Sequence, residues 1–168
     1  MNKEPLTLQE QVDRIKDISQ YNTNKELLTE NIIIEKGFMS YPVNRINIYE
    51  YLEQLKNGVG EEKYNLLTSN QQKKDHNTYH ITILSPQELK RLNKQIETPV
   101  FKTEPKFIGL GSVNSGMENQ VYFIVVEWDE IQKYRNWLSL PEKDLHITIG
   151  FTIKDIFGVK KDKSTLVK

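Results

Sequence analysis

The 168-residue chain contains three histidines, and two of them open the same tetrapeptide. His80-Ile81-Thr82-Ile83 and His146-Ile147-Thr148-Ile149 lie 66 positions apart, each within a β-branched and aromatic run that reads as a strand. Side chains alternate across a strand, so His80 and Thr82 share one face while Ile81 and Ile83 share the other, and likewise for His146 and Thr148. Two such strands lying close in one sheet bring two imidazoles and two hydroxyls to one small space. With an unperturbed pKa of about 6.5, histidine can take or give a proton near neutrality. One ring can accept the proton of an oxygen attacking a phosphodiester while the other protonates the departing oxygen. The Thr82 and Thr148 hydroxyls can then donate to the non-bridging oxygens as charge builds on them. This chemistry calls for no metal and no cofactor.

Several elements must position these strands. Thr7 and Glu10 form a capping box ahead of Leu8, Val12, Ile15 and Ile18, which predicts a helix ending near Gln20. Residues 1–30 therefore read as a helical extension and residues 31–168 as the main domain. Ile32 to Val43 reads as short extended runs broken by Gly37 and Pro42. A helix capped by Asn47 follows, with Ile48, Tyr51, Leu52 and Leu55 on one face and Gly58 as its terminator. Glu61 to Asp75 is polar and reads as a loop with some helix. Ser85-Pro86-Gln87-Glu88 starts a helix running to about Gln95. Lys106–Val113 and Gln120–Trp128 form a predicted hairpin about Asn114-Ser115-Gly116, and Asp129 caps a helix stopped by Pro141. Strands taken singly and in hairpins, mixed with helices, predict an α+β domain.

Composition bounds the function. There is no cysteine, which excludes disulfides, thiolate metal sites and a cysteine nucleophile. Charge is balanced, 23 basic against 23 acidic residues, which disfavours a surface built to hold long duplex nucleic acid. No apolar run approaches the roughly 20 residues that span a bilayer, and Met1-Asn2-Lys3-Glu4-Pro5 opens no apolar signal region. The expectation is a soluble cytoplasmic protein with no membrane association and no obligatory protein partner.

The paired H-x-T-x strands resemble the two-histidine (2H) phosphoesterase superfamily. Phe107–Gly111, Val121–Val126 and Leu145–Phe151 resemble its Swiss Army Knife RNA-repair-like branch in particular. The resemblance runs from about Gly37 to Phe151. It implies a two-lobed duplication, with antiparallel sheets flanked by helices and a central cleft. It also implies that His80 and His146 carry catalysis while Thr82 and Thr148 hold the phosphate. The substrate class implied is a short RNA or cyclic oligonucleotide: a 2′,3′-cyclic phosphate at an RNA end, a 2′–5′ bond, or a cyclic oligonucleotide immune signal destroyed by a viral or mobile-element nuclease. A catalytically idle module binding nucleotides or RNA ends is the remaining alternative.

Other residues read as follows. Tyr41 and Tyr79 are candidates to stack on a base, and Gly150 is a further candidate for substrate contact. Phe151 alternates onto the face away from His146. His76 reads as an exposed loop residue, because its spacing from His80 suits metal ligation on a helix and not at a strand start. Gly109 and Gly111 mark a close backbone approach, while Trp128 and Trp137 read as core fillers. The lysines of the tail from Lys154 read as a solvated, partly frayed end with a capacity to attract anions.

Overall fold

A computed structural model describes residues 32–35, 37–93 and 96–168. The helix expected at the N-terminus and the division at residue 30 lie outside these residues. The helix expected to reach Gln95 ends at Leu92, because Asn93 takes the left-handed conformation.

Among the described residues six strands form two antiparallel three-stranded sheets. Strands β1 (Ile33–Glu35), β2 (Phe38–Val43) and β3 (Tyr79–Leu84) form the first, in that order. Strands β4 (Lys106–Ser115), β5 (Asn119–Glu127) and β6 (His146–Phe151) form the second, also in sequence order. The fold is α+β. Each His-Ile-Thr-Ile strand is an edge strand of its own sheet. Ile81, Ile83, Ile147 and Ile149 are fully buried in one shared core with Met39, Leu52, Leu67 and Ile124. One core thus backs both strands, and it leaves the His and Thr of each on the opposite side.

Both strands also slip register at the last residue of the tetrapeptide. Ser40 pairs with Thr82 but Met39 with Leu84, skipping Ile83. Phe123 pairs with Thr148 but Tyr122 with Gly150, skipping Ile149. Two neighbouring residues on the bulged strand then face the same way. Beyond the second bulge, Phe151 pairs with Val121 and packs with Phe123, Val125 and Ile156, the residues beside His146 and Thr148. Phe151 is therefore on the histidine side, contrary to strict alternation.

Asn44 accepts from the Ile46 amide (3.1 Å) and opens a 3-10 turn over Arg45–Ile48. Helix α1 (Tyr49–Val59) follows, burying Leu52 and Leu55. The cap is thus Asn44 and not Asn47. Gly58 lies inside the helix, and Gly60 ends it because the chain there needs φ of +85°. The stretch expected to be largely loop is helix α2 (Glu61–Asp75), unbroken for 15 residues. It contains no Gly or Pro, with Glu61 and Glu62 at the positive end of its dipole and Lys73 and Lys74 at the negative end. Its buried residues are Leu67, Thr68 and Gln71, a stripe too narrow to register as periodicity. His76 ends it in the left-handed region and is exposed.

Helix α3 (Pro86–Leu92) has the expected Ser85–Glu88 capping box. Helix α4 (Asp129–Trp137) buries Ile131 and Arg135. The Arg135 guanidinium, 1% exposed, donates to Ile83 O (2.8 Å), Pro141 O (3.0 Å) and both Glu88 carboxylate oxygens (3.1 and 2.7 Å). It therefore ties the end of β3 to the elements around the second sheet. Trp128 is buried as expected, but Trp137 is 72% exposed at the helix end, stacked on Tyr134. Nor is the tail frayed: Val167 N–H donates to Leu110 O (2.9 Å), and Leu166 bridges to Gly111. Gly109 and Gly111 admit Leu166, Thr165 and the Phe123 ring, where a Cβ would collide. Among the described residues no helix is long and apolar enough to cross a membrane.

Candidate active site

His146 is half-buried at the start of β6, with both ring nitrogens engaged. Its Nδ1 lies 2.8 Å from Asp144 O, a carbonyl that can only accept, so Nδ1 carries the proton. Its Nε2 lies 3.4 Å from Lys161 Nζ, and the Phe123 ring meets it edge-on at 5.8 Å between centroids. Burial, with the Lys161 ammonium next, pushes the ring pKa down to about 4.

Asp155, in the loop after β6, gathers the surrounding groups. Its Oδ1 accepts from Lys161 Nζ (3.0 Å) and the Ile156 amide (2.8 Å). Its Oδ2 accepts from Lys74 Nζ at the end of α2 (2.9 Å) and from the Thr148 hydroxyl (3.3 Å). Burial alone would raise the Asp155 pKa, but the two ammoniums outweigh it and hold the group below the usual carboxylate range. Helix α2 is docked on β6 by Asn70, whose Nδ2 donates to Phe151 O (3.0 Å) and Thr152 O (2.8 Å). That docking carries Lys74 to Asp155.

His80 is half-buried on β3, with the Phe38 ring 5.3 Å away. Burial lowers its pKa and Lys74 adds to this, while the carboxylates of Asp75 and Asp155 act in the opposite direction. The charge of Asp155 thus reaches both imidazoles. The strands that carry the two imidazoles, β3 and β6, lie against each other.

The three residues expected to contact substrate lie elsewhere. Tyr79 is buried in the core beside Val43, its partner across the ladder. Tyr41, opposite Ile81, packs edge-on against Trp128 at 4.8 Å. Gly150 faces helix α2 so closely that a Cβ would lie 2.8 Å from Leu67 Cβ. All three are on the core side of their strands, so stacking and contact roles at the histidines are withdrawn from them. For Tyr79, the neighbour of His80 on β3, odd–even alternation already carried that information; for Tyr41 it came only from the register of β2 on β3. Lys74, Asp155, Phe123 and Lys161 were missed. Lys161 and Asp155 were visible only as charges in a tail, and Lys74 only as one residue of a basic helix end.

Two grooves reach the cluster. One, of about 860 Å³, includes Asp144, Leu145 and Lys161 in its lining. The other, of about 760 Å³, is lined by Lys73, Lys74, Phe151, Lys154, Asp155 and Phe157 among others. Among the described residues no group of three or more His, Asp or Glu side chains forms a metal-ligand cluster. A pair of imidazoles beside two lysines sharing one carboxylate suits proton transfer at an anionic centre.

Comparison with known families agrees with this chemistry. The model of the Swiss Army Knife, 2H phosphoesterase domain matches residues 45–157, more than half the chain. No curated protein matches the chain, and no solved structure does. The chain belongs to the 2H phosphoesterase superfamily and is a phosphoesterase.

Proposed function

We propose that the protein is a phosphodiesterase that hydrolyses 2′,3′-cyclic phosphates or 2′–5′ bonds of RNA ends and short oligonucleotides in the cytoplasm, using His80 and His146 and no metal. The observation that carries this reading is the pair of imidazoles on matching edge strands, both within the field of Asp155. One imidazole takes a proton from water as the water oxygen bonds to phosphorus. The P–O bond to the ribose breaks, and the ribose oxygen takes a proton from the other imidazolium. Thr82 and Thr148 hold the non-bridging oxygens, which requires the Thr148 hydroxyl to turn from Asp155 to the phosphate. Two ammoniums about one carboxylate leave one excess positive charge beside the reacting anion.

The test is hydrolysis in excess EDTA of 2′,3′-cyclic nucleotides, RNA with a cyclic end, 2′–5′ oligoadenylate, and cyclic di- and trinucleotides. Each runs beside the His80→Ala/His146→Ala double variant. Cleavage of the first three, lost in the variant, supports the proposal. Preference for the cyclic oligonucleotides would replace RNA-end processing with signal destruction. Binding without turnover of any substrate would reduce the protein to a nucleotide-binding module.

A further inference from the structure

Lys161 lies beyond the stretch matched by the family model, yet its side chain is only 3% exposed. Burying an ammonium costs several kcal/mol unless it is paired. Asp155 supplies the pair at 3.0 Å. The same ammonium reaches His146 Nε2 at 3.4 Å and lies 5.5 Å from the centre of the Phe123 ring. Asp144 fixes both partners of that contact. Its carbonyl takes the Nδ1 proton of His146, and its carboxylate Oδ2 takes the Lys161 amide (3.1 Å).

An ammonium has donors and no acceptor, and the Nδ1 proton is already committed to a carbonyl. The only ring form that satisfies both neighbours is neutral imidazole with a bare Nε2. Protonating Nε2 would set two cations 3.4 Å apart in a half-buried site. We propose that Lys161 is a positioning residue that keeps His146 Nε2 unprotonated, making His146 the base and leaving His80 as the acid; this rests on the two-histidine reading above. The charged groups acting on the His146 ring are Lys161, Asp155 and Lys143, with Phe123 its uncharged neighbour from β5. Burial lowers the His80 pKa, and of the charged groups acting on it Asp75 and Asp155 oppose that lowering while Lys74 adds to it. An arriving phosphate competes for the Lys161 ammonium and frees Nε2 when water must be deprotonated. Water then gives its proton to Nε2, and the ribose oxygen leaving phosphorus takes one from His80.

The test is a nitrogen-15 NMR titration of the histidine rings in the full chain, without substrate, for wild type, Lys161→Met and Lys161→Arg. The expected result is a His146 midpoint raised by about one unit or more in Lys161→Met, as loss of a neighbouring like charge requires, and held low in Lys161→Arg. Should Lys161→Met unfold because Asp155 loses its partner, the Lys161→Met/Asp155→Asn double variant removes both charges at similar volume. Asp155→Asn alone is then the reference, and the midpoint is again expected to rise when Lys161 is also replaced. A midpoint that stays put or falls overturns the inference. In kcat/KM profiles on whichever substrate is cleaved, the acid limb is expected to move up in Lys161→Met and to stay in place in Lys161→Arg. Turnover dependent on both histidines with an unmoved His146 midpoint would sink Lys161's role alone. A raised midpoint in a protein that cleaves nothing would sink the hydrolase reading and leave the hold of Lys161 on the ring standing.

Discussion

Lys74 and Asp155 meet at 2.9 Å across 81 positions of chain, and the contact joins the end of α2 to the loop after β6. Asp155 has a second ammonium, Lys161, on its other oxygen, and its charge favours the protonated form of both His80 and His146. Replacing Asp155 by Asn is expected to lower both histidine midpoints together. It also leaves Lys161 buried without its counter-ion, at a stability cost of about 3–5 kcal/mol. An NMR titration beside a urea melt measures both effects. A shift at one histidine only would mean that the two rings do not share a field.

Stability should fall with acid in two stages. The folded His146 pKa of about 4 lies below the ordinary 6.5, so between those values the unfolded chain binds more protons and unfolding is favoured as pH drops. Glu88 acts lower on the scale. Burial would raise its pKa, but hydrogen bonds from Arg135 and the Ser85 amide and the charge of Lys143 hold it at about 2. Its contribution is present above pH 4.5 and is lost as pH falls toward 2. Denaturant melts across pH 2–7 should therefore lose slope between pH 6.5 and 4 in His146→Asn, and between 4.5 and 2 in Glu88→Gln. An unchanged slope in either variant would contradict its assignment.

Arg135 is a second buried charge that is costly to remove. Arg135→Met strands Glu88 and frees the Ile83 and Pro141 carbonyls, with an expected loss of about 3–5 kcal/mol in thermal or urea unfolding. Arg135→Lys should not restore it, because one ammonium cannot span acceptors arranged around a planar fork. Rescue by lysine would show that charge alone matters there.

Gly150→Ala places a methyl within 2.8 Å of Leu67 Cβ and 3.2 Å of Leu67 O, where backbone as well as side chain must yield. The expected cost is about 1–3 kcal/mol. Because the push falls on α2, which carries Lys74, the His80 midpoint should shift as well. A stable variant with unmoved titration would mean that α2 is not held where Gly150 sets it.

What was legible in the sequence was local. The period of two along His80–Ile83 and His146–Ile149 sorts imidazoles from core residues without any knowledge of neighbours. The Ser85–Glu88 cap closes within four residues, and both were readable from residue order. Helix α2 escaped because its propensity was spread over polar residues that bury only a thin stripe.

The rest depends on what the chain folds against. A register slip at Ile83 or Ile149 exists only relative to the partner strand, so no run of residues announced that Phe151 would turn to the histidine side. The charged cluster is further removed still. Lys74, Asp155 and Lys161 come from a helix end, a loop and a tail, and their ionic contacts form only once α2 docks on β6 and the tail returns past Asp144. Sequence set which groups are able to move a proton. Tertiary structure set the field around them, because the strength of a charge on an imidazole depends on distance and burial, and neither is a property of position along the chain.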